Sequence, residues 1–352
     1  MTRRLPAEWE PQAGVLLAWP DGETDWASRL DQARDCYAAL LAALTSHVDT
    51  GLVVRPGIDG TALHSRLACA GVRPERLRLL HADYDDTWIR DYGPVTVLDG
   101  DEPRLLDFMF DGWGGKFSAG RDNAVTHALH GAGRFGETSI ESADFVLEGG
   151  AIDSDGAGSI LTTAACWRAR HPSMDRAQVE RRLARWLGAE RVLWLEHGHL
   201  EGDDTDAHVD TLARFCAADT IAYQACADPH DSHHGPLEAM CSELKALRTA
   251  TGRPYRLIAL PWPGECRDDD GRRLPATYAN FLITNGAVLV PTYGVPADQA
   301  ALDALSRAFP EHRLRGIYCR PLIWQNGGLH CATMQLPAAV TLDGENADPR
   351  KP

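Results

Sequence analysis

Strand-like and helix-like runs alternate along this chain from end to end, and that alternation constrains its fold more than any other feature. Short apolar runs occur at Val15-Leu-Leu-Ala-Trp19, Gly51-Leu-Val-Val54, Val95-Thr-Val-Leu98, Ser159-Ile-Leu-Thr-Thr163, Arg191-Val-Leu-Trp-Leu195 and Ala287-Val-Leu-Val290. Apolar residues at helical spacing predict amphipathic helices over 27–46, 174–187, 236–250 and 297–309. Helices interleaved with strands argue an α/β fold rather than separate all-α and all-β domains. A weak internal echo adds to this. Leu147-Glu-Gly-Gly-Ala-Ile-Asp153, Leu200-Glu-Gly-Asp-Asp-Thr-Asp-Ala-His-Val-Asp210 and Asn326-Gly-Gly-Leu-His-Cys331 are Gly-rich or acidic turns beside strand-like runs. Such recurrence suggests units repeated about an axis, with their turns meeting at one centre. No low-complexity linker divides the 352 residues, so one domain over 1–343 is expected, with 344–352 as a frayed, disordered tail.

Charge and cysteine usage exclude several classes. The formal net charge is −15, which repels phosphate backbones and anionic membranes and attracts cations. Nucleic-acid binding is therefore not expected. Nor does any apolar run approach the roughly 20 residues of a membrane span. The opening Met1-Thr-Arg-Arg-Leu-Pro-Ala-Glu-Trp9 has basic residues but no apolar stretch after them, so it does not read as a secretory signal. Nine cysteines, an odd number with no CxxC pair, read as mostly reduced, buried thiols. A cytoplasmic protein is expected.

Some motif matches fail on context. His130-Gly-Ala-Gly-Arg-Phe-Gly136 contains a literal GxGxxG, but the preceding segment looks helical and no buried strand leads in, so it reads as a helix-ending turn. His197-Gly-His199 has no Cys/His cluster to complete a metal site and reads as a loop pair.

Three segments could carry chemistry. If 206–212 is extended, Asp206, His208 and Asp210 share one face, and a histidine between carboxylates suits a pocket that takes a cation or a metal. In Thr87-Trp-Ile-Arg-Asp-Tyr-Gly-Pro94, Trp88 and Tyr92 supply flat π faces and Asp91 an anion, a combination suited to an organic cation. In Asn326-Gly-Gly-Leu-His-Cys-Ala-Thr-Met-Gln335, paired glycines allow close backbone approach to a ligand, and Cys331 stands at the start of a strand. A lone cysteine is usually a small buried hydrophobe; a histidine and acids brought from elsewhere would make it a nucleophile.

Together these segments resemble the agmatine deiminase and bacterial peptidylarginine deiminase family, within the guanidine-modifying pentein superfamily. The resemblance runs from Pro6-Ala-Glu-Trp-Glu-Pro11 through the WIRDYGP segment, Gly112-Trp-Gly-Gly-Lys116, Leu147–Asp153, Glu201–Asp210 and Tyr278-Ala-Asn-Phe-Leu-Ile-Thr-Asn-Gly-Ala287 to Leu329–Gln335. It implies a five-bladed α/β propeller of ββαβ units around a central site. It also implies Cys331 as nucleophile, His208 as acid/base, Asp91 and Asp210 as the grip on a guanidinium, and Glu148 as the remaining polar partner. Trp88 resembles the aromatic wall beside the substrate, and Trp113 and Asp204 are further substrate-binding candidates. This sequence departs from the commonest family pattern at Gln325-Asn-Gly-Gly-Leu-His-Cys331, where many members have a triple glycine before Asn-Ile-His-Cys. It departs again at Cys166-Trp-Arg-Ala-Arg-His-Pro-Ser173, where many are asparagine-rich.

The implied reaction is hydrolytic deimination through an amidino-cysteine, with no metal and no cofactor. Agmatine, a small dication, fits the −15 charge best, giving N-carbamoylputrescine and ammonia. Free arginine and peptidylarginine remain alternatives; no arginine in the motifs stands out as a carboxylate clamp, and Arg90 alone stays open for that role. Two readings of other classes stay open: a metal-dependent hydrolase using Asp203, Asp204, Asp206, His208 and His199 with Cys331 merely buried, and a non-catalytic guanidine binder. A homodimer is compatible with the resemblance.

Overall fold

One strand order recurs five times in the computed structural model, which describes residues 3–346. In each unit a first strand pairs antiparallel with a second, and the second pairs parallel with a third. Antiparallel neighbours need only a tight turn, whereas a parallel pair needs a crossover, and here each crossover carries a helix. Unit two runs Val95–Asp99, Glu102–Met109, helix Val125–Gly131, Ser139–Val146. Unit three runs Ile152–Ser154, Ser159–Thr163, helices Ala164–Arg170 and Arg176–Leu187, Arg191–Leu195. Unit four runs Ala213–Ala217, Thr220–Gln224, helix His234–Ala246, Arg256–Leu260, and unit five Leu282–Thr284, Ala287–Thr292, helix Ala297–Ser306, Arg313–Tyr318. Unit one joins the two ends of the chain: Met334–Pro337 pairs antiparallel with Gln12–Ala18, which leads through helix Leu30–Leu44 to Asp49–Val54. These are the repeated ββαβ units of the expected α/β fold.

Burial explains which strands the sequence announces. Second strands lie between two neighbours and beneath a helix, and Ser159–Thr163 and Thr220–Gln224 are buried throughout. Strands covered on both faces read as continuous apolar runs. Third strands such as Arg313–Tyr318 are more open to solvent, with Ile317 alone buried there. Helix Arg176–Leu187 shows the local logic: Asp175 and Gln178 form a capping box, Gly188 ends it in the left-handed region, and Val179, Leu183, Trp186 and Leu187 are buried.

Several boundaries shift from the sequence expectation. The helix read over 27–46 is a 3-10 turn, Asp25–Arg29, followed by Leu30–Leu44. The GxGxxG segment follows helix Val125–Gly131 with positive φ at Gly133 and Gly136, a helix-ending turn as expected. Glu345–Asn346 pairs with Leu77–His81, itself added parallel to Asp49–Val54, so this part of the expected tail belongs to a sheet. The rest of 344–352, residues 347–352, lies outside the described residues.

Candidate active site

The segment just ahead of each first strand bends inward, and the five such segments meet. Ahead of unit two, Ile89–Tyr92 forms one helical turn carrying Asp91; ahead of unit three, Glu148 leads into the 3-10 turn Gly149–Ala151. His208 and Asp210 flank the start of the turn Val209–Thr211 ahead of unit four. Asn280 precedes unit five, and Cys331 precedes the closing strand of unit one. All are buried, Asp91 and Cys331 at 4% exposure and His208 and Asp210 at 0%.

The side chains form a connected set. His208 Nε2 donates to Glu148 Oε2 at 2.7 Å, and His208 Nδ1 lies 3.7 Å from Asp91 Oδ1. Asp91 accepts from the Gly150 amide and from the Trp113 indole, each at 2.9 Å. Cys331 Sγ lies 3.6 Å from Asp210 Oδ2 and 3.2 Å from the Asn280 amide nitrogen. Among the described residues, His208 Nδ1 and Asp210 Oδ1 find no hydrogen-bond partner although both are buried. Gly150 permits this closeness: a Cβ there would stand 2.6 Å from His208 Nδ1 and 2.9 Å from Asp91 Oδ1. Gly327 does the same for the Trp88 ring, against which a Cβ would collide.

The electrostatics follow from crowding three carboxylates into one buried centre. Burial, reinforced by Glu148 and Asp210, pushes the Asp91 carboxyl up to about 6. Burial also acts against ionised Glu148, but hydrogen bonds and charge from His208 and Arg170 outweigh it and hold Glu148 below the usual range. Asp210 is likewise held low, because His330, His208 and Arg214 outweigh its burial. Burial works against charged His208, yet Asp91, Cys166 and Glu148 raise it well above an ordinary histidine. Burial, Asp210 and Asp91 together push the Cys331 thiol well up. Without a bound cation, the nucleophile candidate is a thiol beside an imidazolium.

A pocket of about 680 Å³ opens from this centre, lined by Trp88, Asp91, Trp113 and Cys331 inside and by Asp25, Asp86, Asp204 and Arg272 among others. Trp88, Trp113 and Asp204 thus stand on the pocket wall. Asp204 accepts from the Asn326 amide at 2.8 Å. Arg272 is already engaged by Asp268, Asn326 and the Trp324 carbonyl.

Three expectations change. The segment 206–212 is not extended: Asp206 and Ala207 have positive φ, and a 3-10 turn follows. Asp206 consequently turns away to Arg170 and Lys116, at 2.6 and 2.7 Å, while His208 and Asp210 enter the site. Arg90 bonds Gln335 at 2.6 Å and lines a different cavity, so it does not clamp a substrate carboxylate. The acids of the metal alternative are dispersed: Asp203 holds the Thr205 and Ala207 amides, Asp204 meets Asn326, and His197 pairs with Glu243. His199 lies instead beside His233, with ring centroids 6.3 Å apart. Among the described residues one other group has metal-ligand character, Glu148, Cys166 and His208, but Arg170 already sits 2.5 Å from Glu148.

Sequence reasoning missed Asn280, Cys166 and Arg170, although all three lie in segments it singled out. Arg170 bridges Glu148 to Asp206 and the Thr205 carbonyl. Its sequence signal is weak, one of two arginines, with Arg168, in the last turn of a short helix.

Comparison with known proteins agrees with this geometry. Residues 4–337 match the model of the Porphyromonas-type peptidyl-arginine deiminase family. An agmatine deiminase of Pseudomonas putida is 32% identical over 362 residues, covering 96% of each chain. A solved structure from Porphyromonas gingivalis, named as a candidate arginine deiminase, has 43% identity and a TM-score of 0.89, covering 96% of this chain and 99% of its own. A Cys-to-Ser variant of the C. jejuni agmatine deiminase with substrate bound has 33% identity and a TM-score of 0.87, covering 98% of this chain and 97% of its own. With the sequence matched almost end to end and the fold shared at this level, the chain belongs to the Porphyromonas-type peptidyl-arginine deiminase family.

Proposed function

We propose that this protein is an agmatine deiminase, converting agmatine and water to N-carbamoylputrescine and ammonia through a covalent amidino-cysteine. The observation that carries the reading is the convergence of Cys331, His208, Glu148, Asp91 and Asp210 in one buried centre, from which Asp91 and Cys331 reach the pocket wall, with Asp210 Oδ1 left unpartnered. Relatives named agmatine deiminase over almost the whole chain support the choice of reaction.

A guanidinium is planar and charged at physiological pH, so its carbon is a poor electrophile until it is fixed and neutralised. Asp91 and Asp210 accept its N–H groups and hold its plane against Cys331 Sγ, an ordering that lowers the barrier by several kcal/mol. The substrate cation also offsets the negative surroundings that keep the empty-site thiol neutral, so the thiol gives its proton to solvent and the thiolate forms as the guanidinium enters. The thiolate adds to the guanidinium carbon; His208 gives a proton to the departing nitrogen, and ammonia leaves. His208, now neutral, takes a proton from water as it attacks the same carbon. The C–S bond then breaks, the hydroxyl proton of the adduct passes to the leaving sulfur, and the ureido product and the resting thiol are released. Glu148, kept ionised by Arg170, orients His208 and balances its charge. No metal or cofactor takes part in this reading.

The outer pocket favours a cationic tail. Asp25, Asp86 and Asp204 line it, and its one arginine, Arg272, already holds the Asp268 carboxylate. An amine is therefore better matched there than a carboxylate. A cytoplasmic, homodimeric protein is part of the same reading. The test is ammonia release from agmatine, free arginine and a blocked peptidyl-arginine, for wild type and Cys331→Ser. Agmatine-selective release that disappears in Cys331→Ser is the expected result. Activity surviving in Cys331→Ser would overturn the covalent route, and a preference for arginine would overturn the tail assignment.

A further inference from the structure

The Pro6–Pro11 motif and His330 take no part in the mechanism above, yet both end beneath Asp210. Glu8 is 5% exposed and His330 2%, and they stand 322 positions apart in the chain. His330 Nε2 meets Glu8 Oε2 at 2.7 Å, and His330 Nδ1 meets Asp210 Oδ2 at 2.8 Å. An ionised carboxylate only accepts, so both ring nitrogens donate. Glu8 is held in turn by Arg214 at 2.8 Å and by the Ile283 amide at 2.7 Å. Arg214 also reaches the Phe281 carbonyl and lies 3.4 Å from Asp153, so this buried cluster ties together units one, three, four and five.

The consequence lies in the two oxygens of Asp210. Oδ2 is taken by His330, and Oδ1 has no partner. A carboxylate free to rotate would present either oxygen, and would lose orientation each time a substrate arrived. We propose that Glu8 and His330 are positioning residues: Glu8 fixes the His330 ring, His330 fixes Asp210 Oδ2, and Asp210 Oδ1 is thereby presented to the substrate's guanidinium. This inference rests on the guanidinium-gripping role of Asp210 in the deiminase reading. It places the N-terminal motif three contacts from the substrate rather than in the packing alone.

The test uses the full chain carrying Cys331→Ser, which removes the nucleophile and neither ring contact of His330. Agmatine dissociation constants are measured by calorimetry with and without His330→Gln, in both Asp210 and Asp210→Asn backgrounds. His330→Gln, whose amide falls near the Nε2 position, is expected to weaken binding about tenfold, as for loss of a hydrogen bond to a charged group. In the Asp210→Asn background the same change is expected to cost less than about twofold, because its effect runs through Asp210. His330→Asn, whose amide falls near the Nδ1 position, restores most of the affinity. Glu8→Gln repeats the pattern more weakly and guards against a misfolded His330 variant. Equal losses in both backgrounds, or undiminished binding by folded His330→Gln, overturn the proposal. A ligand-free arm separates it from the substrate reading: wild type is expected to show two downfield imidazole N–H protons that vanish in His330→Gln. Their absence overturns the clamp. Failure of the Cys331→Ser parent to bind agmatine while those protons are present overturns the agmatine reading instead.

Discussion

In the proposed deiminase reading, ionisation of Asp91 sets the lower pH limit of the site. Its carboxyl sits at about 6, raised by burial and by Glu148 and Asp210, and the Trp113 indole is one of the groups holding it down. The ionised form is needed to grip a cation, so kcat/KM is expected to rise with pH through about 6, since this ratio reports the free enzyme. Trp113→Phe removes an N–H that favours the carboxylate, so the acid limb should move upward. A hydrogen bond to a charged group is worth about 1.5 kcal/mol or more, which corresponds to about one pH unit. A pH–rate profile of the two proteins checks this. An unmoved limb would mean that another group controls it. The basic side of the site is set differently: His208 is raised well above an ordinary histidine, so its proton remains available for the departing ammonia at neutral pH.

At the scale of elements, the turns ahead of the first strands matter more than the strands themselves. Gly149-Gly150 lets Asp91, His208 and Asp210 approach one backbone, and a Cβ at Gly150 would lie 2.6 Å from His208 Nδ1 and 3.2 Å from Asp210 Oδ2. Gly150→Ala is expected to lower kcat/KM about 100-fold, because small misplacements of reacting groups are costly. Its thermal unfolding should change far less, since overpacking at one turn costs about 1–3 kcal/mol. Steady-state kinetics beside a melting curve would separate the two; full activity would show that the turn relaxes freely. These turns were legible as Gly-rich echoes, and the buried second strands as apolar runs, because each signal is local. Glu102–Met109 and Ser139–Val146 were not legible, since charged residues interrupt both, at Glu102, Arg104 and Asp107 and at Glu141 and Asp144. The segment around Asp206 misled because alternating acids resemble a strand, whereas Asp203 captures the Thr205 and Ala207 amides and coils the chain. Arg170–Glu148 and Glu8–His330 join residues 22 and 322 positions apart, and no sequence period carries such pairings.

For the whole molecule, catalysis is tied to closing the chain on itself. Cys331 immediately precedes Met334–Pro337, the strand that completes unit one by pairing with Gln12–Ala18. The site therefore exists only once the two ends of the chain have met. Beyond that strand, Leu342 packs on Gly14 and Gly51, and the Asp343 amide bonds the Arg134 carbonyl at 2.8 Å. Glu345–Asn346 adds only two residue pairs at the sheet edge. From these contacts we propose that the catalytic unit is complete at Asp343. A chain ended after Asp343 should keep kcat and KM within about twofold, its melting temperature lowered by a few degrees, as expected for losing about 1 kcal/mol from a domain of this size. A chain ended after Thr333 keeps Cys331 but lacks its strand, and should neither release ammonia from agmatine nor unfold cooperatively. If the Asp343 truncation lost activity, the edge strand would belong to the catalytic unit. If the Thr333 truncation retained it, closure of unit one would not be what assembles the site.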